Sequence, residues 1–196
     1  MWPILLCSVI ALAIIGERFW FLQKKRIIPE KLISQVWHWH KADALTDENI
    51  LSIKNSSPLG RILAVGLINR NHEREIMKKS IEDSGRHVIP ELERYLNSLG
   101  TIASISPLLG LLGTVIGMIK VFTAITVHGV GNPTVLAGGI SEALITTATG
   151  LSVAIPSLMF YRYFRGRIDE YVLTMEQEAL KLVEIIHGDR EEEATD

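Results

Sequence analysis

Apolar residues gather into three long runs. The first, "WPILLCSVIALAIIGERFWFL" over residues 2–22, is broken only near its end by Glu17 and Arg18. The other two lie between Arg94 and Arg162, where the only formal charges are Lys120 and Glu142, leaving 95–119, 121–141 and 143–161 uncharged. A helix of about 20 mainly apolar residues crosses a bilayer. The pattern therefore predicts spans over 1–23, 99–125 and 135–161, with a short loop, 126–134, between the last two. No basic region precedes the first run, so it reads as a retained span rather than a signal peptide. Glu17 and Arg18 sit about one turn from its inner end, where they can reach the interface or pair with neighbouring helices.

The polar segments carry a helical period. "KKRIIPEKLISQVWHWHKA" reads as an emerging helix interrupted or bent at Pro29, with Leu32, Ile33, Val36 and Trp37 on one face. "ALTDENI" and "NSSPLG" are loop signals, and residues 59–71 form a short amphipathic helix. A further helix places Ile76, Ile81, Val88, Leu92 and Leu99 at helical intervals; Pro90 should kink it before it runs on into the second span. Beyond the third span, Ile168, Val172, Met175, Ala179, Leu182 and Ile186 alternate steps of four and three, a seam able to pack against copies of itself. The expected class is an all-α integral membrane protein: a helical region at 24–98 and a helix with an acidic tail at 162–196 extend the spans beyond the bilayer.

Composition agrees: 47% of the 196 residues are hydrophobic and 15 are glycine. Lys24, Lys25 and Arg26 follow the first span, Arg94 precedes the second, and Arg162, Arg165 and Arg167 follow the third. By the positive-inside rule the N-terminus is outside and most of the polar chain, with the C-terminus, is cytoplasmic. A net charge of −2 without a basic patch interleaved with aromatics gives no sign of nucleic-acid binding. Cys7 is alone, implying neither a disulfide nor a metal site. His38 and His40 in "WHWH" point to different helix faces and have no completing ligands. "LLGLLGTVIG" lacks the lysine of a phosphate-binding loop, and no nucleophile and base are set together. Enzyme chemistry, cofactors and metals therefore find no foothold.

The spans themselves are patterned. At about 100° per residue, Ser106, Gly110, Gly113 and Gly117 share one face of the second span with Thr114 at its flank. Gly113-x-x-x-Gly117 admits close approach of another helix. Pro107 and Pro156 join the glycines as expected packing or kink positions. On the third span Glu142, Thr146 and Thr149 fall within about 60° of one another, whereas Thr147 lies about 140° from Glu142. A charged carboxylate at bilayer depth costs roughly 2.5–3.5 kcal/mol on insertion scales. Glu142 should therefore face an assembly interior, or meet a cation such as Lys120, which can alternatively snorkel outward. Threonine hydroxyls could extend a proton route from it, or simply bond the backbone four residues back. One hairpin and one extra span cannot enclose a polar path, so an oligomer is expected.

The runs "LGTIASISPLLGLLGTVIGMI" and "GISEALITTATGLSVAIPSLMFYRYF" closely resemble the ExbB/TolQ/MotA family of proton-channel subunits, and its ExbB branch most of all. The resemblance covers roughly residues 95–165; elsewhere it is one of layout. It implies a homopentamer in the bacterial inner membrane, in contact with membrane lipid and surrounding a dimer of an ExbD/TolR-like single-span protein whose span carries an aspartate. That assembly would couple proton-motive force to a TonB-like protein. Glu142 matches the family's functional glutamate, and Thr114 and Thr147 match threonines taken to line the lumen; Thr146 and Thr149 rank below them. The extended periplasmic N-terminal region of the longest ExbB proteins is not matched, which keeps open a TolQ-like subunit energising envelope constriction. A passive membrane assembly scaffold is the rival from another class.

Overall fold

A computed structural model describes residues 1–42, 45–128 and 133–187. These residues form eight helices: α1 (Trp2–Phe21), α2 (Lys24–Ile27), α3 (Leu32–Lys41), α4 (Asp47–Ser56), α5 (Pro58–Ile68), α6 (Arg74–Leu92), α7 (Leu96–His128) and α8 (Pro133–His187). Part of the expected loop at 126–134 and the acidic end of the chain lie outside the described residues.

The chain divides into two compact units. The first comprises Met1–Arg18 and Tyr95–Arg165, and the second Phe19–Arg94 with the chain from Gly166 onward. In the first, α1, α7 and the leading half of α8 are each long and apolar enough to cross a membrane. Only 22%, 17% and 28% of their most apolar stretches is buried within the protein. Leu6, Val9 and Leu12 on α1, Leu108 and Phe122 on α7, and Leu144 and Met159 on α8 all point outward. So much contiguous exposed hydrocarbon is incompatible with water and suited to lipid.

The second unit has the opposite arrangement, with its apolar residues inside. Leu59, Leu63, Ala64 and Leu67 of α5, Met77, Ile81, Val88 and Leu92 of α6, and Ile168, Tyr171, Met175, Ala179 and Leu182 of α8 form its core. Local chemistry starts the helices: Thr46 Oγ1 accepts from the Asn49 amide and Ser57 Oγ from the Gly60 amide, with Pro58 in the first turn of α5. Tyr171 donates its hydroxyl to the Leu22 carbonyl at 2.9 Å, tying α8 to the segment after α1.

The seam expected along the tail of α8 exists, and the protein uses it internally. Ile168, Met175, Ala179 and Leu182 are buried, with Leu182 against Gly66 of α5. The apolar faces of α5 and α6 within the same chain cover these four positions, while Val172 and Ile186 of the same seam stay half-buried.

Three features differ from the sequence reading. The loop signals "ALTDENI" and "NSSPLG" mark only the ends of a helix, α4, which Thr46 caps and which runs Asp47–Ser56 before Ser57 caps α5. The chain does not pass from α6 into α7 as one helix: α6 ends at Leu92, and Tyr95 takes a left-handed φ of 63°. Pro90 removes one backbone donor in the last turn, and the Glu93 amide closes the helix onto Ile89 and Glu91 carbonyls. Near the membrane end of the first unit, Arg18 is fully buried, bonded to Glu17 and 5.7 Å from the Tyr95 ring centre. Similarly, α1 stops at Phe21, well before Pro29.

Leu63 has no solvent exposure. Leu63→Ala should destabilise the second unit by about 2–5 kcal/mol, read as earlier loss of helical signal on heating in detergent, whereas exposed Leu180→Ala should leave the transition in place.

Candidate functional site

Small residues determine how α7 and α8 meet. On α7, Ser106, Gly110, Gly113 and Gly117 follow one another by four, three and four residues; on α8, Gly139, Ala143, Thr146 and Gly150 repeat the same steps. Running in opposite directions, the two rows interlock. A methyl group on Gly113 would fall 2.2 Å from Thr146 Cγ2, and one on Gly117 would fall 2.7 Å from Ala143 Cβ. One on Gly150 would lie 2.6 Å from the Ser106 carbonyl oxygen and 3.1 Å from Gly110 Cα. Backbone therefore rests on backbone, as small-residue helix pairs in lipid require.

This seam includes every packing glycine expected from the sequence. Its facing row on α8 is a second small-residue repeat, present in the 4-3-4 spacing of residues 139–150 but overlaid there by the polar stripe of Glu142, Thr146 and Thr149. Ser106 is fully buried, and among the described residues its hydroxyl has no hydrogen-bond partner. Pro107 and Pro156 lie inside α7 and α8, both of which continue past them as helix.

The threonines divide according to which carbonyl they reach. Thr147 crosses the seam, donating to the Gly110 carbonyl at 3.0 Å. Thr146, buried against Gly113, donates to the Glu142 carbonyl of its own helix, Thr149 to Ile145, and Thr114 to Leu111. Three of the four hydroxyls thus satisfy a nearby carbonyl in their own helix. The face shared by Glu142 and Thr146 is a packing face at Thr146, and Glu142 lies at its edge.

At that edge the two charges of the hairpin meet. Lys120 Nζ approaches Oε1 and Oε2 of Glu142 at 3.0 and 3.1 Å, and both side chains remain 57% exposed. The carboxylate meets a cation, one of the two outcomes open to it from sequence. Because the groups flank the close contact of Gly117 with Ala143, they are held at the protein surface and still within reach of each other. His38 and His40 belong to α3, and among the described residues no three His, Cys, Asp or Glu side chains come together as a metal site would require.

The comparison with known proteins agrees with this hairpin. Residues 54–177 match the model of the MotA/TolQ/ExbB proton channel family. The chain belongs to that family. Within it, the chain is 34% identical over 165 residues to ExbB-like protein 1 of Synechocystis, named for biopolymer transport, covering 83% of this chain and 65% of that one. It is 31% identical over 188 residues to the biopolymer transport protein ExbB of Salmonella typhimurium, covering 88% and 74% respectively. It is 42% identical over 81 residues to the Tol-Pal system protein TolQ of Haemophilus influenzae, covering 41% and 36%. The matched region includes both rows of the seam, Lys120 and Glu142.

Overpacking the seam should separate the hairpin. Gly150→Val is expected to cost about 1–3 kcal/mol or more, seen as reduced accumulation in membranes and a lower melting temperature in detergent. Gly138→Ala, on the same helix with nothing within 4 Å, should match the wild type.

Proposed function

We propose that this chain is the proton-channel subunit of a bacterial inner-membrane motor that couples proton-motive force to a TonB-like, periplasm-spanning protein serving outer-membrane transport. The observation that carries the reading is Glu142: the one carboxylate of the membrane hairpin among the described residues, 57% exposed within one protomer and held by Lys120, the hairpin's other charge. Insertion of such a group is costly, and intramembrane carboxylates mark ion and proton pathways.

In this reading the subunits form a homopentameric ring around a dimer of an ExbD/TolR-like single-span partner. The N-terminus is periplasmic and the C-terminus cytoplasmic, following the Lys and Arg residues that flank the spans. Protons pass between Glu142 and the partner's membrane carboxylate, with Thr114 and Thr147 lining the route and Thr146 and Thr149 supporting it. Each proton driven through 100 mV yields about 2.3 kcal/mol, so a mechanical stroke draws on several. The work is done by binding and moving protons, with no covalent chemistry on a substrate.

A TonB-type client is preferred to a Tol-type one because the ExbB relative of Salmonella typhimurium aligns with 88% of this chain, against 41% for the TolQ relative. A passive scaffold would need the seam alone and would have no use for a charge pair beside it.

Glu142→Gln should abolish the protonophore-sensitive uptake restored by this chain in its own host after deletion of the native copy, while the mass of the purified complex stays the same. Uptake at the wild-type rate in that variant would leave the scaffold as the better account.

A further inference from the structure

The mechanism so far assigns Lys120 no part. Its ammonium is shared by both oxygens of Glu142, across 22 positions of sequence and between two helices. The bond straddles the outer part of the seam, where Gly117 meets Ala143 and Val121 meets Gly139. Neither residue has another charged side chain near it along its helix. Arg162 and Arg165 follow Glu142 on α8 by at least twenty residues, about 30 Å of helix rise. Glu17 and Arg18 pair with each other beside Tyr95, at the opposite end of α7 from Lys120. Ser141 adjoins Glu142 in sequence and is exposed; Thr123 and Thr146, the next hydroxyls along the two helices, donate to the backbone carbonyls of Ile119 and Glu142, not to the carboxylate.

We propose that Lys120 is a positioning residue of the proton route: the counter-ion that neutralises the Glu142 carboxylate at membrane depth and withdraws when that carboxylate takes up a proton. The proposal rests on the proton-channel reading above. In the paired state the two charges cancel, so the hairpin carries no net charge in hydrocarbon. An incoming proton binds one Glu142 oxygen and gives a neutral carboxylic acid, while Lys120 keeps its own proton and its charge. The attraction falls, and the ammonium, on its four-carbon stem, is drawn toward water beyond the end of α7, about two turns away at His128. When the proton passes to water or to a carboxylate of the lumen, the negative charge returns and the ammonium returns with it. Proton uptake is thereby coupled to an opposite movement of Lys120, and neither charge stands alone in lipid.

The test uses the complex purified from its own host with whatever co-purifies, reconstituted into dye-loaded vesicles and driven by a potassium diffusion potential. Wild type, K120R, K120M, E142Q and K120M/E142Q are compared for proton passage and, by infrared difference against E142Q, for the carboxylate stretch of Glu142. K120M should lose proton passage and exchange the carboxylate signal for that of a protonated carboxyl, K120R should retain both properties, and the double variant should behave as E142Q. Unchanged passage and an unchanged carboxylate signal in K120M overturn the role given to Lys120. A wild-type complex that passes no protons overturns the proton-channel reading itself. If K120M is not recovered from membranes, recovery of K120M/E142Q supports charge compensation between the two, and loss of both variants overturns it.

Discussion

The contact on which the hairpin depends is backbone against backbone between α7 and α8. Two rows of small residues with identical spacing leave no room for a methyl group at Gly113, Gly117 or Gly150. In lipid, helices gain nothing from hiding apolar side chains from one another, so association relies on close packing and on polar contacts formed between them. The seam supplies the first, and the bond from Thr147 to the Gly110 carbonyl supplies one of the second. Everything else on the hairpin is displaced to its flanks, including the two charges.

That displacement gives the charge pair its character. Had Glu142 lain in the seam, its side chain would have held the helices apart; had it faced far from α7, Lys120 could not have reached it. One position before Ala143, it is close enough for a bidentate ion pair and open enough to meet a neighbour or water.

The two units solve opposite solvent problems with one continuous helix. Along its leading half α8 turns apolar side chains outward; after Arg165 it turns Ile168, Met175, Ala179 and Leu182 inward against the core of its own unit. The break at Glu93–Tyr95 occurs where the chain passes from one regime to the other, and Arg18, buried beside Tyr95, marks the same level on α1.

Most of the architecture was legible without coordinates. The three spans and the continuation of the third into a long helix follow from residue identities, because hydropathy acts position by position against a bilayer of fixed thickness; for Glu142 the sequence offered Lys120 only as one of two outcomes, and the structure chose it. The small-residue face of α7 was equally legible. Its counterpart on α8 was present at the same spacing but was obscured by threonines that could be read as a polar stripe. What only the tertiary structure decided was which faces meet: that Thr146 packs while Thr147 crosses the seam, that four positions of the tail seam of α8 are covered by α5 and α6, and that α6 ends before the membrane hairpin begins. Those outcomes depend on pairs of surfaces distant in sequence, and a periodicity describes one surface at a time.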